Sequence, residues 1–236
     1  MANNWFSFKQ FTVNQEKSAF KVGTDAVLLG AAAGIDGVKK ILDIGTGTGV
    51  IAIMLAQRSN ADIVAIEPDY ESFIEATANV KDCRWKERIL VMNSDLQSFF
   101  PDAGLFDLIV SNPPYFSDSL KGPDQRKNAS RHNDSLSSGD ILKGASRLLA
   151  EDGSLQLILP YAEGNVFIAE AVEYGFYCNH ILKIRPLPTS EIRRLILTFS
   201  RTQLKPIEKF LTIEHGARHE FTEEYKNLTK DFYLKF

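Results

Sequence analysis

The chain has 236 residues, 44% of them hydrophobic and 24% charged, and a formal net charge of −3. That length suits one sizeable domain with small extensions, and the charge excludes a wholesale nucleic-acid coat while allowing a local basic face. No apolar run is long enough to span a bilayer, the first residues lack the charged-then-apolar pattern of a signal peptide, and Cys83 and Cys178 are too few and scattered for a disulfide framework or a metal site, so the expectation is a cytosolic, metal-free protein.

In chain order, residues 1–35 hold an aromatic, basic stretch (Trp5, Phe6, Phe8, Lys9, Phe11) and then Lys21-Val22-Gly23-Thr24-Asp25. Thr24 or Asp25 is placed to cap a helix running through Leu28 and Leu29. Apolar runs at 39–45, 62–68, 89–95, 106–113 and 154–160 read as strands, several of them apolar on both faces, as a sheet covered on each side requires. Segments 49–59, 70–81, 138–149 and 164–174 between them read as helices. The alternation predicts an α/β fold with a doubly wound, mostly parallel sheet. Two further strands, 177–187 and 193–201, are separated by 188–192 alone, too short for a crossover helix, so they must form an antiparallel hairpin. Seven strands are thus expected. In the tail after Pro206, Thr222 reads as an N-cap with Glu223 and Glu224 in the first helical turn, at the positive end of the helix dipole. The division expected is an extension (1–35), a core (36–204) and a tail packed on the core (205–236).

Asp43-Ile44-Gly45-Thr46-Gly47-Thr48-Gly49 sits where a strand gives way to a helix. Glycines there permit positive φ and close approach of backbone to a ligand. The spacing is Gly-x-Gly-x-Gly with Val50 following, a poor match to the dinucleotide fingerprint, which wants its third glycine one residue later. Glu67 ends the next strand, where a carboxylate can accept from two ribose hydroxyls. Asp95 ends the third, where it can meet an adenine amino group. The pattern resembles the S-adenosylmethionine site of class I methyltransferases, which implies a seven-stranded, Rossmann-like sheet closed by the antiparallel hairpin, with the cofactor over Asp43, Gly45, Gly47, Gly49, Glu67 and Asp95. No phosphate-cradling Gly-x-x-x-x-Gly-Lys loop or Ser-His-Asp set is present. His215 and His219 have ligand-like spacing but lack the acid between them and read as surface residues.

Asn112-Pro113-Pro114-Tyr115 follows the run Phe106–Ser111. Two prolines hold the chain extended and keep the Pro113 carbonyl out of regular structure. That carbonyl and the Asn112 side-chain oxygen can each accept one hydrogen of an NH2 group, which turns the nitrogen lone pair toward a methyl donor. Tyr115 can stack on the planar group, for about 1–3 kcal/mol, and a base in a paired helix would have to be flipped out to reach it. The motif resembles that of amino-group methyltransferases acting on adenine N6, cytosine N4, guanine N2 or the glutamine amide.

Phe8-Lys9-Gln10-Phe11, the run Lys21 to Leu29, Arg131-His132, Glu224-Tyr225 and the ending Asp231-Phe232-Tyr233-Leu234-Lys235-Phe236 resemble the bacterial tRNA1(Val) adenine-N6 methyltransferases over nearly the whole length. That family modifies the adenine 3′ of the anticodon in one valine tRNA. The resemblance implies that residues 1–35 cover the cofactor, with Lys21 and Thr24 near it; that Asn112, Pro113, Pro114 and Tyr115 hold the flipped adenine, Asn112 also bordering the cofactor; and that Arg126, Lys127, Arg131 and His132 grip the anticodon loop. A second basic run lies between Lys183 and Lys209. A monomer or weak dimer is expected. Glutamine-N5 release-factor methyltransferases share the acceptor motif but usually carry a helical N-terminal domain; ribosomal RNA guanine-N2 enzymes usually duplicate the core. A non-catalytic RNA-binding protein of this fold is disfavoured by Glu67, Asp95 and Asn112 together, and an NAD-dependent oxidoreductase by the glycine spacing and the hairpin.

Overall fold

The computed structural model describes residues 3–100, 104–114 and 136–236. The elements are β1 (Trp5–Ser7), β2 (Thr12–Asn14), α1 (Thr24–Ala32), β3 (Lys40–Ile44), α2 (Val50–Arg58), β4 (Asp62–Glu67), α3 (Tyr70–Lys81), β5 (Ile89–Asn93), β6 (Phe106–Ser111), α4 (Ser138–Leu148), β7 (Leu149–Pro160), α5 (Tyr161–Ala171), β8 (Tyr177–Arg185), β9 (Arg194–Ser200), β10 (Ile207–Thr212) and α6 (Glu223–Thr229).

Strands β3 to β10 form one sheet in the order β10-β8-β9-β7-β6-β3-β4-β5. Its pairs are parallel except where β9 meets β7 and β8. Alternation along each strand divides the apolar side chains between two cores. Ile41, Leu108, Val110, Ile158 and Ile196 face α1 and α2. Leu42, Ile109, Leu157, Leu195, Leu197 and Phe199 face α4 and α5. Each such side chain, fully buried, contributes about 1.5–3 kcal/mol.

Three expectations are corrected. The sheet has eight strands rather than seven, because Ile207–Thr212 pairs in parallel with β8, so the antiparallel pair lies inside the sheet rather than at its edge. Four of the six β10 positions are exposed, so its apolar pattern is too weak to read and backbone pairing alone defines it. Strand β7 begins at Leu149 instead of 154, because a register shift between Phe106 and Leu108 admits the turn-like Glu151-Asp152-Gly153 into the ladder. Helix α1 is capped by Gly23 without a side-chain bond; Asp25 instead accepts from Arg194 Nε at 2.7 Å. The Thr222 cap forms as read, its hydroxyl oxygen accepting from the Tyr225 amide at 3.1 Å. Among the described residues no helix is long and apolar enough to cross a membrane.

The two chain ends meet. The β1–β2 hairpin places Phe6 and Phe8 against Tyr233, with Phe8 stacked on Phe11 at 4.5 Å between centroids. Lys9 donates to the Lys230 carbonyl at 2.6 Å and to the carbonyl of Phe236.

Candidate active site

From β3 the chain runs outward through β4 and β5, then returns to the other side of β3 as β6. Where strand order reverses in this way, the loops at the carboxyl ends separate and leave a crevice. Both sequence motifs open onto it. Ile44 and Ser111 are in register at the ends of β3 and β6, and Ser111 Oγ donates to the Ile44 carbonyl at 2.9 Å. The glycine loop and Asn112-Pro113-Pro114 therefore start on adjacent strands, about 5 Å apart.

Gly45, Gly47 and Gly49 have φ of 69°, 57° and 82°, the left-handed region that glycine enters without penalty. A Cβ on Gly45 or Gly47 would meet nothing within 4 Å, so the loop is open on the side a ligand would approach. From beneath it is held firmly. The amides of Gly45 and Thr46 donate to the Ile66 carbonyl at 2.9 and 3.1 Å, and the Gly47 amide donates to Glu67 Oε2 at 2.8 Å. Helix α2 follows with Gly49 as N-cap and no side-chain cap, which leaves the positive end of its dipole at the loop.

Two carboxylates lie under this loop. Asp43 is fully buried; one oxygen accepts from Thr46 Oγ1 at 2.6 Å, and Oδ1 has no hydrogen-bond partner. Burial pushes its carboxyl up to about 7 although the Thr46 hydroxyl and the Ala52 amide pull the other way, and the charge of Glu67 adds to the rise. Glu67 is also buried and raised above the usual carboxylate range by that burial, with the Gly47 and Asp69 amides partly offsetting it. Two buried carboxyls beneath an open glycine loop fit a ligand that carries positive charge.

The structure brings Asp43, Gly45, Gly47, Gly49, Glu67 and Asn112 together at the carboxyl ends of the adjacent strands β4, β3 and β6. Asn112 and Pro114 are half-buried there and Pro113 is buried. Asp95 stands two residues past the end of β5, exposed, with Oδ1 accepting from the amide and hydroxyl of Ser98 at 2.7 Å each; those bonds hold its carboxyl below the usual range. Lys21 and Thr24 are exposed where the N-terminal segment enters α1, and Lys21 Nζ donates to the Asn3 carbonyl at 3.1 Å. Tyr115, Arg126, Lys127, Arg131 and His132 lie outside the described residues.

The second basic run is not gathered into one face. Lys183 pairs with Glu208 at 2.6 Å, Arg194 with Asp25, and Arg185 donates to Thr212 Oγ1 at 2.9 Å. Arg201 lies over the Phe176 ring at the far end of the hairpin. His215 and His219 are exposed in a turn closed by the Glu214–Phe221 bridge. Among the described residues no group of three or more potential metal ligands forms. A cleft of about 980 Å³, lined by Asp36, Asp107, Ser154, Gln156, Thr198 and Ile207, opens toward the opposite end of the parallel strands, where β6 and β10 begin, and contains none of the site residues.

Sequence reading passed over Ser72, Glu75 and Asn79. They stand three and four residues apart on one face of α3 and are nearly inaccessible, at 2%, 5% and 1% exposure. The signal was a polar set at helical spacing, which from sequence alone reads as a solvated face.

A family model described as the Methyltransferase small domain matches residues 23–165. The chain is 46% identical to a tRNA1(Val) (adenine(37)-N6)-methyltransferase of Bacteroides thetaiotaomicron, across 99% of both chains. It is 44% identical to the protein of the same name from Parabacteroides distasonis, across 100% of both. Among solved structures, one described as a predicted O-methyltransferase from Agrobacterium tumefaciens superposes with a TM-score of 0.65 at 22% identity, over 88% of this chain and 96% of that one. A ribosomal protein L11 methylase from Lactobacillus delbrueckii gives 0.56 at 18% identity, over 81% and 84%. These structures establish the class I, Rossmann-like fold. With full-length identity at this level, the chain belongs to the tRNA1(Val) (adenine(37)-N6)-methyltransferase family.

Proposed function

We propose that this protein transfers the methyl group of S-adenosylmethionine to the N6 amino group of the adenine 3′ of the anticodon in tRNA1(Val), in the cytoplasm. The observation that carries the reading is the pairing of the open glycine loop and Asn112-Pro113 on adjacent strands at the switch point. It is supported by relatives of that name matching end to end.

The cofactor supplies an already activated sulfonium methyl, so the protein's task is placement. Glu67 would hold the ribose hydroxyls; the backbone from Gly45 to Gly49 would lie under the methionyl part, with the Asp43 carboxyl beneath the loop favouring its ammonium group through the field. Asp95 would receive the adenine amine of the cofactor. On the acceptor side, Asn112 Oδ1 and the Pro113 carbonyl would each accept one N–H of the substrate amine, and Tyr115 would stack on the base. This hydrogen bonding draws the nitrogen lone pair out of conjugation and aims it. The product proton leaves to water, so no protein base is needed. Lys21 and Thr24 would border the cofactor, and Pro114, Arg126, Lys127, Arg131 and His132 the RNA.

The test is methyl transfer from labelled cofactor to unmodified valine tRNA transcript, followed by nucleoside identification by mass spectrometry. N6-methyladenosine beside the anticodon is expected. Methylation of a release-factor glutamine or of ribosomal guanine instead would replace the substrate while keeping the chemistry.

A further inference from the structure

Between β2 and α1 the chain runs as a strap of residues 15–23 without regular structure. Its backbone is tied to one face of α3. Glu75 accepts three successive amides, Oε1 from Glu16 at 2.7 Å and Lys17 at 2.9 Å, and Oε2 from Ser18 at 2.7 Å. Ser72 Oγ accepts the next, from Ala19, at 3.2 Å. Asn79 brackets the residue before the strap: it accepts from the Asn14 amide at 2.8 Å and donates to the Asn14 carbonyl at 2.9 Å. Gln15 closes the strap on itself by accepting from the Val22 amide at 2.9 Å.

Two of the three α3 side chains lead on to the glycine loop, while Glu75 acts on the strap alone. Asn79 Nδ2 also donates to the Thr48 carbonyl at 2.9 Å. Ser72 Oγ donates to Asp69 Oδ2 at 2.7 Å, the Asp69 amide to Glu67 Oε1 at 3.0 Å, and the Gly47 amide to Glu67 Oε2 at 2.8 Å. Two routes thus reach the loop, one through Asn79 from Asn14 at the head of the strap and one from the strap itself through Ser72, Asp69 and Glu67. Buried carboxylate-to-amide bonds of this kind are stronger than neutral ones and are all lost together if the strap lifts.

We infer that Glu75, Ser72 and Asn79 are positioning residues that couple the order of the 15–23 strap to the glycine loop, so that strap closure and cofactor binding strengthen each other. The inference rests on the proposed cofactor. Coupling is reciprocal: if the closed strap favours the cofactor, the bound cofactor must favour the closed strap by the same factor.

The experiment uses the full chain with S-adenosylmethionine and two variants. Glu75→Gln keeps the shape but sets an NH2 group against one of the strap amides; Ser72→Ala removes one acceptor and serves as the milder change should the first fail to fold. Calorimetry gives cofactor affinity, steady-state assays give kcat and KM, and brief trypsin digestion with mass spectrometry reports cleavage after Lys17 and Lys21. Expected for Glu75→Gln are a cofactor Kd raised about tenfold, kcat at saturating cofactor within about twofold, and faster cleavage after Lys17 and Lys21. Ser72→Ala should fall between it and wild type, and cofactor should slow cleavage of the wild-type strap. Faster cleavage with unchanged Kd would overturn the inference and leave the contacts as packing only. Failure of the wild-type protein to bind the cofactor at all would instead strike the proposed function.

Discussion

Asp43→Asn probes the electrostatics under the glycine loop. In the folded protein burial raises the Asp43 carboxyl from 3.8 to about 7, while in the unfolded chain it titrates near its ordinary value. The folded state therefore holds the proton more tightly. A group raised in this way contributes stability that is complete below about pH 4 and lost as the pH climbs to about 7. Above that the folded protein carries a buried anion, and the accumulated loss is on the order of 4 kcal/mol. Asn cannot ionise, yet its oxygen can still accept from Thr46. The stability of the variant relative to wild type should be flat below about pH 4, shift in the variant's favour up to about pH 7, and then level off. Glu67 is raised in the same direction, but it is present in both proteins and to first order cancels in the difference. Urea unfolding of both proteins without cofactor, at half-unit steps from about pH 4 to 8, measures this directly. A difference that does not change with pH would refute the claim that burial raises the Asp43 carboxyl by more than its hydrogen bonds lower it. The same argument extends to binding: a cofactor ammonium group favours the ionised carboxyl, so wild-type affinity should tighten as pH rises through about 7 and the variant should lose that dependence.

Asn112→Ala should abolish methyl transfer while leaving cofactor Kd within about threefold, since the side chain is proposed to act on the acceptor amine; comparable turnover in the variant would remove Asn112 from the acceptor site. Glu67→Ala should weaken cofactor binding by about tenfold or more, because it removes both the proposed ribose acceptors and the support of the Gly47 amide; calorimetry showing equal affinity would mean that the ribose lies elsewhere. Thr222→Ala should destabilise the protein by about 1 kcal/mol through loss of the α6 cap, with cofactor affinity unchanged; an unaltered thermal midpoint would mean that the cap is redundant.

Much of this protein is legible in its sequence because the relevant signals are local. The apolar runs at β3, β4 and β6 are buried on both faces and bounded by glycine, proline or acid, so their ends can be read, and the site residues stand at those ends. The five-residue gap 188–192 requires the antiparallel hairpin by length alone. Glycine at 45, 47 and 49 marks three positions suited to positive φ, and all three have it. The glycine loop and Asn112-Pro113 read as one site through family likeness, since nothing in their separation along the chain makes them neighbours.

Tertiary structure decided the rest. Strand β10 exists because β8 offers an open ladder to an otherwise exposed segment, a fact absent from the segment's own pattern. Asp43 is visible as a motif residue, but its raised carboxyl depends on the complete burial that the covering elements impose. Asp95 reads as a third strand-end acid, and only the fold shows its carboxylate engaged with Ser98. Ser72, Glu75 and Asn79 carry no sequence mark separating them from a solvated helix face, because what they bind is backbone, and backbone donors look alike at every position. The amide groups of residues 14 and 16–19 became specific partners only when the chain brought them, from more than fifty residues away, across α3 and beside the glycine loop.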